Sequence, residues 1–203
     1  MKQAAVGFRV HSGWSALVTV SLENDVPRVV SRERVHLVET FIYKFRQPYH
    51  TAGRMPPEKA RAFVEGSLSE AKRLAGSALR STQKELGKQG YELARGALLL
   101  ASGKALPSLD RILLSHALIH TADGEHFRGA LRHSCADCGV EIACIKEREL
   151  LDRGVKTFRT RRDKLLRRLT ELGTGFGSPW TQDEKYAALA AWLVLADPAD
   201  PPA

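Results

Sequence analysis

Residues 4–38, AAVGFRVHSGWSALVTVSLENDVPRVVSRERVHLV, contain three valine-rich runs of partly alternating apolar and polar residues, with two turn-formers between each run and the next. This predicts an antiparallel meander: AAVGFRVH, a turn at Ser12-Gly13, WSALVTVSL, a turn at Asn24-Asp25, and VPRVVSRERVHLV. Pro27 has no amide proton to give to a ladder, so it belongs at the entry of the third strand or on an edge.

Working outward, residues 40–56, TFIYKFRQPYHTAGRMP, interleave aromatics with Lys44, Arg46, His50 and Arg54 and read as a loop. Aromatics stack on bases and arginines hold phosphates, so the segment is a candidate lining for a nucleic-acid groove; its bland account is a loop folded back on the core. A helix is expected from Glu58 to about Leu86, with Pro57 at its first position and Gly87 and Gly90 ending it. YELARGALLLAS, 91–102, reads as a fourth, central strand. The loop GKALPS then leads to a helix capped by Ser108, and a second helix is expected from near Asp123 to Gly139, before a fifth strand, VEIACI. Glu147 to Leu172 is a basic helical stretch in which Gly154 is a candidate break and Phe158, Leu165, Leu166 and Leu169 form the buried stripe. Thr181 and Glu184 stand at capping-box spacing before a last apolar helix. Residues 1–196 are expected to form one domain and 197–203, DPADPPA, a disordered tail.

The 203 residues suffice for one core, and no apolar run approaches the roughly 20 residues that span a bilayer. With no signal-like start and three closely spaced cysteines, the expectation is a cytoplasmic, bacterial-type protein with reduced thiols and no membrane partner. A net charge of +8 permits a polyanionic partner.

Polar residues concentrate in 109–145. His116 and His120 share a helical face, with Asp123 extending the line. Such a pair can ligate a metal, but the metalloprotease pattern needs a glutamate after the first histidine, where Ala117 stands, and the pair reads as structural. Glu125, His126 and Arg128, placed at the start of the expected second helix, are a candidate anion site, or Glu125 simply favours that helix end. Cys135, Cys138 and Cys144 lack the H-x-E of the zinc deaminases and read as small buried hydrophobes. No cofactor and no metal is assigned.

The element order and three local segments resemble the ribonuclease H-like superfamily, in its branch of RuvC-type Holliday-junction resolvases and YqgF-type relatives. VGFRVHSGWSALVTV is similar to their opening hairpin, HFRGALRHSCADCGVEIACIKERELLDRGVK to their helix, glycine, strand and lysine segment, and DEKYAALAAWLVLA to their last helix. The resemblance implies an α/β fold with a mixed five-stranded sheet, the three-stranded meander plus two more strands, and helices on both faces. It also implies two metal ions held by carboxylates of the first strand, fourth strand and last helix, which phosphoryl transfer requires. This sequence departs there: Arg9 occupies the first-strand aspartate position, GALLLAS has no carboxylate, and Lys185 stands at the last-helix position, two residues from Asp183. The expectation is a degenerate ribonuclease H-like protein, non-catalytic as a nuclease, that binds nucleic acid or an anionic ligand. Nucleic-acid candidates are Arg9, Lys44, Arg46, Arg54, Arg159, Arg161 and Arg162. Ligand candidates are His116, His120, Asp123, Glu125, Arg128, Asp183 and Lys185, expected to converge on one pocket if the protein is instead a hydrolase-type enzyme. An interaction module without a cleft is the third reading.

Overall fold

In a computed structural model describing residues 1–101 and 105–196, the opening alternation becomes β1 (Lys2–His11), β2 (Trp14–Glu23) and β3 (Val26–His36), paired antiparallel. β4 (Tyr91–Leu100) lies parallel to β1, and β5 (Glu141–Lys146) lies parallel to β4, giving the order β3-β2-β1-β4-β5. The mixed five-stranded sheet is therefore as expected, with Pro27 near the entry of the edge strand β3. Because β1, β4 and β5 run the same way, their carboxyl ends share one edge of the sheet. In open α/β sheets that edge is where ligands bind.

Strand alternation assigns the two faces. Ala5, Val18, Val20, Ala97, Leu99, Ala143 and Ile145 pack against α6 (Leu150–Thr157), α7 (Arg162–Glu171) and α8 (Gln182–Ala196). Val6, Phe8, Val10, Leu17 and Leu98 face α3 (Pro57–Lys88) and α5 (His116–Asp137) instead. Every residue of α8 from Ala187 to Val194 is buried, as befits a helix that is apolar around its whole circumference. It lies so close to β1 that a Cβ on Gly7 would stand 1.8 Å from the Ala187 carbonyl oxygen. The Thr181–Glu184 capping box is present, the Thr181 amide donating to Glu184 Oε2 at 2.7 Å.

Several local expectations are corrected. Residues 40–56 are not one loop: they include α1 (Tyr43–Arg46) and α2 (Pro48–Ala52), with Pro48 taking the N-terminal position its missing amide allows. Gly87 lies inside α3 rather than ending it. The helix expected from Ser108 is α4 (Leu109–Leu113) alone, and the Ser108 side chain makes no capping bond. α5 starts at His116, where Ser115 Oγ accepts the Leu118 amide, so there is no second start near Asp123. Glu125, His126 and Arg128 are accordingly mid-helix, and the helix-terminal anion site is absent. The basic stretch opens with a 3-10 turn at Glu147–Glu149 and breaks between Phe158 and Arg161, where Arg159 has φ 46°, not at Gly154. Gly154 is buried against Leu165 and Leu189, which explains the small residue there. Leu166 is 40% exposed rather than part of the buried stripe. The last residue of the expected fourth strand, 102, the first two of the GKALPS loop, 103–104, and the expected tail, 197–203, lie outside the described residues. No described helix is long and apolar enough to cross a membrane.

Candidate functional site

Period-two alternation puts Arg9 and His11 on the same face of β1 as Gly7, toward α8, at the shared carboxyl edge. There the Arg9 guanidinium bridges two carboxylates. Its Nε and Nη2 donate to Glu147 at 3.2 and 2.6 Å, a two-pronged pairing, and its Nη1 donates to Asp183 Oδ1. His11 Nε2 lies 2.8 Å from the same Asp183 oxygen, and the Tyr186 ring sits 5.3 Å from the guanidinium carbon. Bonding to Glu147 raises the Arg9 pKa above its ordinary value, against the opposing effect of burial and with further help from Asp183. Arg9 is thus a fixed cation. Next to the group lies an open cleft of about 490 Å³ lined by Ala101, Glu147, Arg148, Leu151, Arg162, Gln182 and Tyr186. Among the described residues the group does not include Lys185, which is half-buried one turn into α8 with its amide bonded to Thr181 O.

His11 also joins this group to a cationic and aromatic ladder. The tight β1–β2 turn, with Gly13 at φ 84°, pairs His11 with Trp14, and their rings stack at 4.4 Å. β2–β3 register pairs Ala16 with Arg34, setting Arg34 diagonally across from Trp14; its guanidinium carbon lies 3.8 Å from the Trp14 ring centroid. Arg34 also reaches Phe41 at 5.9 Å, and Arg46 covers Phe41 at 4.4 Å while donating to Ser12 O. His36 meets Phe41 edge-on at 5.2 Å. Phe41 is 38% exposed and Tyr43 52%. Of the other expected nucleic-acid contacts, Lys44 turns toward Phe45 and Phe63, and Arg54 and Arg159 are exposed. Arg161 pairs with Asp163, and Arg162 with Asp152.

The polar residues of α5 form two further groups. α2 brings in His50, whose ring centroid lies 4.4 Å from that of His120 and 5.5 Å from that of His116. Asp123, only 4% exposed, accepts the Tyr49 amide at 2.7 Å and faces His50 Nδ1 at 2.5 Å. Burial pushes its carboxyl pKa up, while the bonds to His50 and Tyr49 pull it the other way. Glu125 instead pairs with Arg128, which donates to Leu99 O at 3.1 Å and so closes the end of β4. Since α5 and α8 pack on opposite faces, the expected convergence of His116, His120, Asp123, Glu125 and Arg128 with Asp183 and Lys185 around one pocket does not occur. All three cysteines are free thiols, but only Cys135 is buried in the core under α5, Cys138 and Cys144 being half-buried beside it; burial pushes Cys135 up to about 12, far from a thiolate ligand or nucleophile.

No protein-family model and no curated protein matches the sequence. The solved structure of Thermus thermophilus RuvC in complex with a Holliday junction substrate is similar over 96% of this chain and 93% of RuvC, with a TM-score of 0.53 and 12% identity. The fold is ribonuclease H-like, of the RuvC type. A second T. thermophilus RuvC structure matches 95% of this chain and 93% of its own at TM-score 0.49 and 9% identity. An exopolyphosphatase from Cytophaga hutchinsonii matches 76% of this chain but 38% of its own, at TM-score 0.37 and 16% identity. Within this ribonuclease H-like frame, the residues present do not fit the two-metal centre that the family resemblance implies. Both Glu147 and Asp183 are already engaged by Arg9, whose guanidinium would repel Mg²⁺ at the end of β1.

Proposed function

We propose that this protein binds nucleic acid along the edge where β1, β4 and β5 end and does not cleave it by two-metal chemistry. The observation that carries the reading is the Arg9 guanidinium seated between Glu147 and Asp183, a protein cation where a resolvase of this fold is expected to carry metal. Without the metals the attacking and leaving oxygens have no shared electrophile, so the site retains a place for a backbone but not a means of cutting it. Support for nucleic acid as the ligand comes from the net charge of +8 and from the Trp14, Arg34, Phe41 and Arg46 ladder at the same edge of the sheet. Aromatic faces bordered by arginines stack bases without demanding sequence. The RuvC structure of the same fold is bound to a Holliday junction substrate.

Fluorescence anisotropy with labelled single-stranded, duplex and four-way-junction DNA, across a salt series, tests the proposal. Binding is expected at low salt and weakens as salt rises, with no Mg²⁺-dependent cleavage. Trp14→Ala removes an aromatic group worth about 1–3 kcal/mol, or roughly 5- to 150-fold in affinity. Absence of binding to all three substrates at low salt overturns the reading.

A further inference from the structure

His50 was not grouped with His116 and His120 in sequence because 66 residues separate it from the nearer one; the fold brings it there by packing α2 on α5. Among the described residues, these three form the sole set of three or more metal-ligating side chains whose donor atoms all lie within 4.8 Å of one another. We infer that His50, His116 and His120 form a binding site for a divalent first-row transition metal, zinc being the natural occupant of an all-imidazole set.

Three features of the geometry point to a metal. Helical spacing alone sets His116 and His120 side by side, one turn apart on α5, and their rings meet edge-on with centroids 4.4 Å apart. Both are exposed, so burial of apolar surface does not account for their gathering with His50. The third feature is the buried Asp123. Its carboxylate faces His50 Nδ1 and is held in turn by the Tyr49 amide, which leaves His50 Nε2 as the free lone pair. A carboxylate behind a histidine is the arrangement that orients metal-bound imidazoles and raises their basicity.

Nitrogens on one tetrahedral ion, at about 2.0–2.1 Å from it, stand about 3.3 Å apart. The two solvent-facing rings therefore need to swing inward by roughly an ångström, which their exposure allows, while His50 stays anchored. Three imidazoles leave a fourth position that opens to solvent and is filled by water or a ligand atom. The site also lies between α2 and α5, so an ion there would pin the segment that follows the Phe41–Arg46 part of the ladder.

The test uses the full chain after chelator treatment, titrated with Zn²⁺ by calorimetry and with Co²⁺ by visible absorption. One equivalent per chain is expected, with the intense d–d bands of a four-coordinate Co²⁺. His116→Ala and His120→Ala each weaken binding at least tenfold, Asp123→Asn weakens it about 10–100-fold, and His133→Ala, at the far end of α5, leaves it unchanged. Circular dichroism confirms folding; the two exposed histidine variants keep the test decisive even if Asp123→Asn unfolds. Failure to bind either metal, or binding undiminished in the His116→Ala/His120→Ala double variant, overturns the inference. Neither result bears on DNA binding.

Discussion

Arg9 bridges Glu147 and Asp183, and its removal has consequences beyond a lost ion pair. Arg9→Ala leaves Glu147 and Asp183 partly buried and facing each other unneutralised, so a loss of about 2–3 kcal/mol is expected in urea denaturation at pH 7. The same variant gains a Mg²⁺-dependent rise in melting temperature that the parent lacks, because only then are the two carboxylates available to a cation. His126 contributes a different dependence, on pH. It is buried on α5 with Nε2 3.1 Å from Ser67 Oγ and the Tyr49 ring alongside, and burial lowers its pKa from 6.5 to about 4. With the folded value depressed, the unfolded chain takes up the proton first as pH falls below about 6.5. Stability then declines down to about pH 4, by at most about 3 kcal/mol. Asp123, its carboxyl pKa raised by burial, works in the opposite direction, so the measurement is a difference: urea midpoints of His126→Gln should fall less steeply with acid than those of the parent.

Strands were more legible than helix ends, for a physical reason. Alternation in 4–38 reports a two-faced sheet directly, and the strands it marks exist in the antiparallel order read from it. Helix boundaries depend on which of several polar residues captures a free amide. Ser115 does so and Asp123 does not, since Asp123 is turned inward to α2; the misplaced start also misplaced Glu125 and Arg128. Of the site, Arg9 and Asp183 were visible through the family resemblance. Glu147, Trp14 and Arg34 were not singled out, although hairpin register already places Trp14 opposite His11. His50 required a long-range packing of α2 on α5 that periodicity cannot report. The break between α6 and α7 illustrates the same competition. Gly154 looked like the weak point, yet burial against Leu165 and Leu189 keeps it helical, and the chain turns at Arg159 in the left-handed region. An L-residue there costs on the order of 1 kcal/mol, so Arg159→Gly should stabilise the protein by up to about 1 kcal/mol in urea melts.

Charge on the molecule as a whole is not equivalent from place to place. α7 carries the densest run of arginines, but nearby acids offset them: Asp163 faces both Arg161 and Arg167, and Asp152 of α6 faces Arg162. At the carboxyl edge of the sheet, Arg34 and Arg46 instead lie over Trp14 and Phe41, where their charge is not cancelled by a carboxylate partner among the described residues. Nucleic-acid affinity scales with the counterions released, about one per phosphate neutralised, whereas an arginine already paired with aspartate contributes less to that count. The salt dependence therefore locates the interface. Replacing Arg34 and Arg46 together with glutamine should reduce the slope of log affinity against log salt by about 2 on duplex, or somewhat less on single strands, and should weaken binding across all sequences alike. Replacing Arg161 and Arg167 the same way should change it by less than 1, because Asp163 loses its partners at the same time. If the α7 pair produced the larger change, the binding surface would belong to the helical face of the molecule rather than to the edge that Arg9 closes.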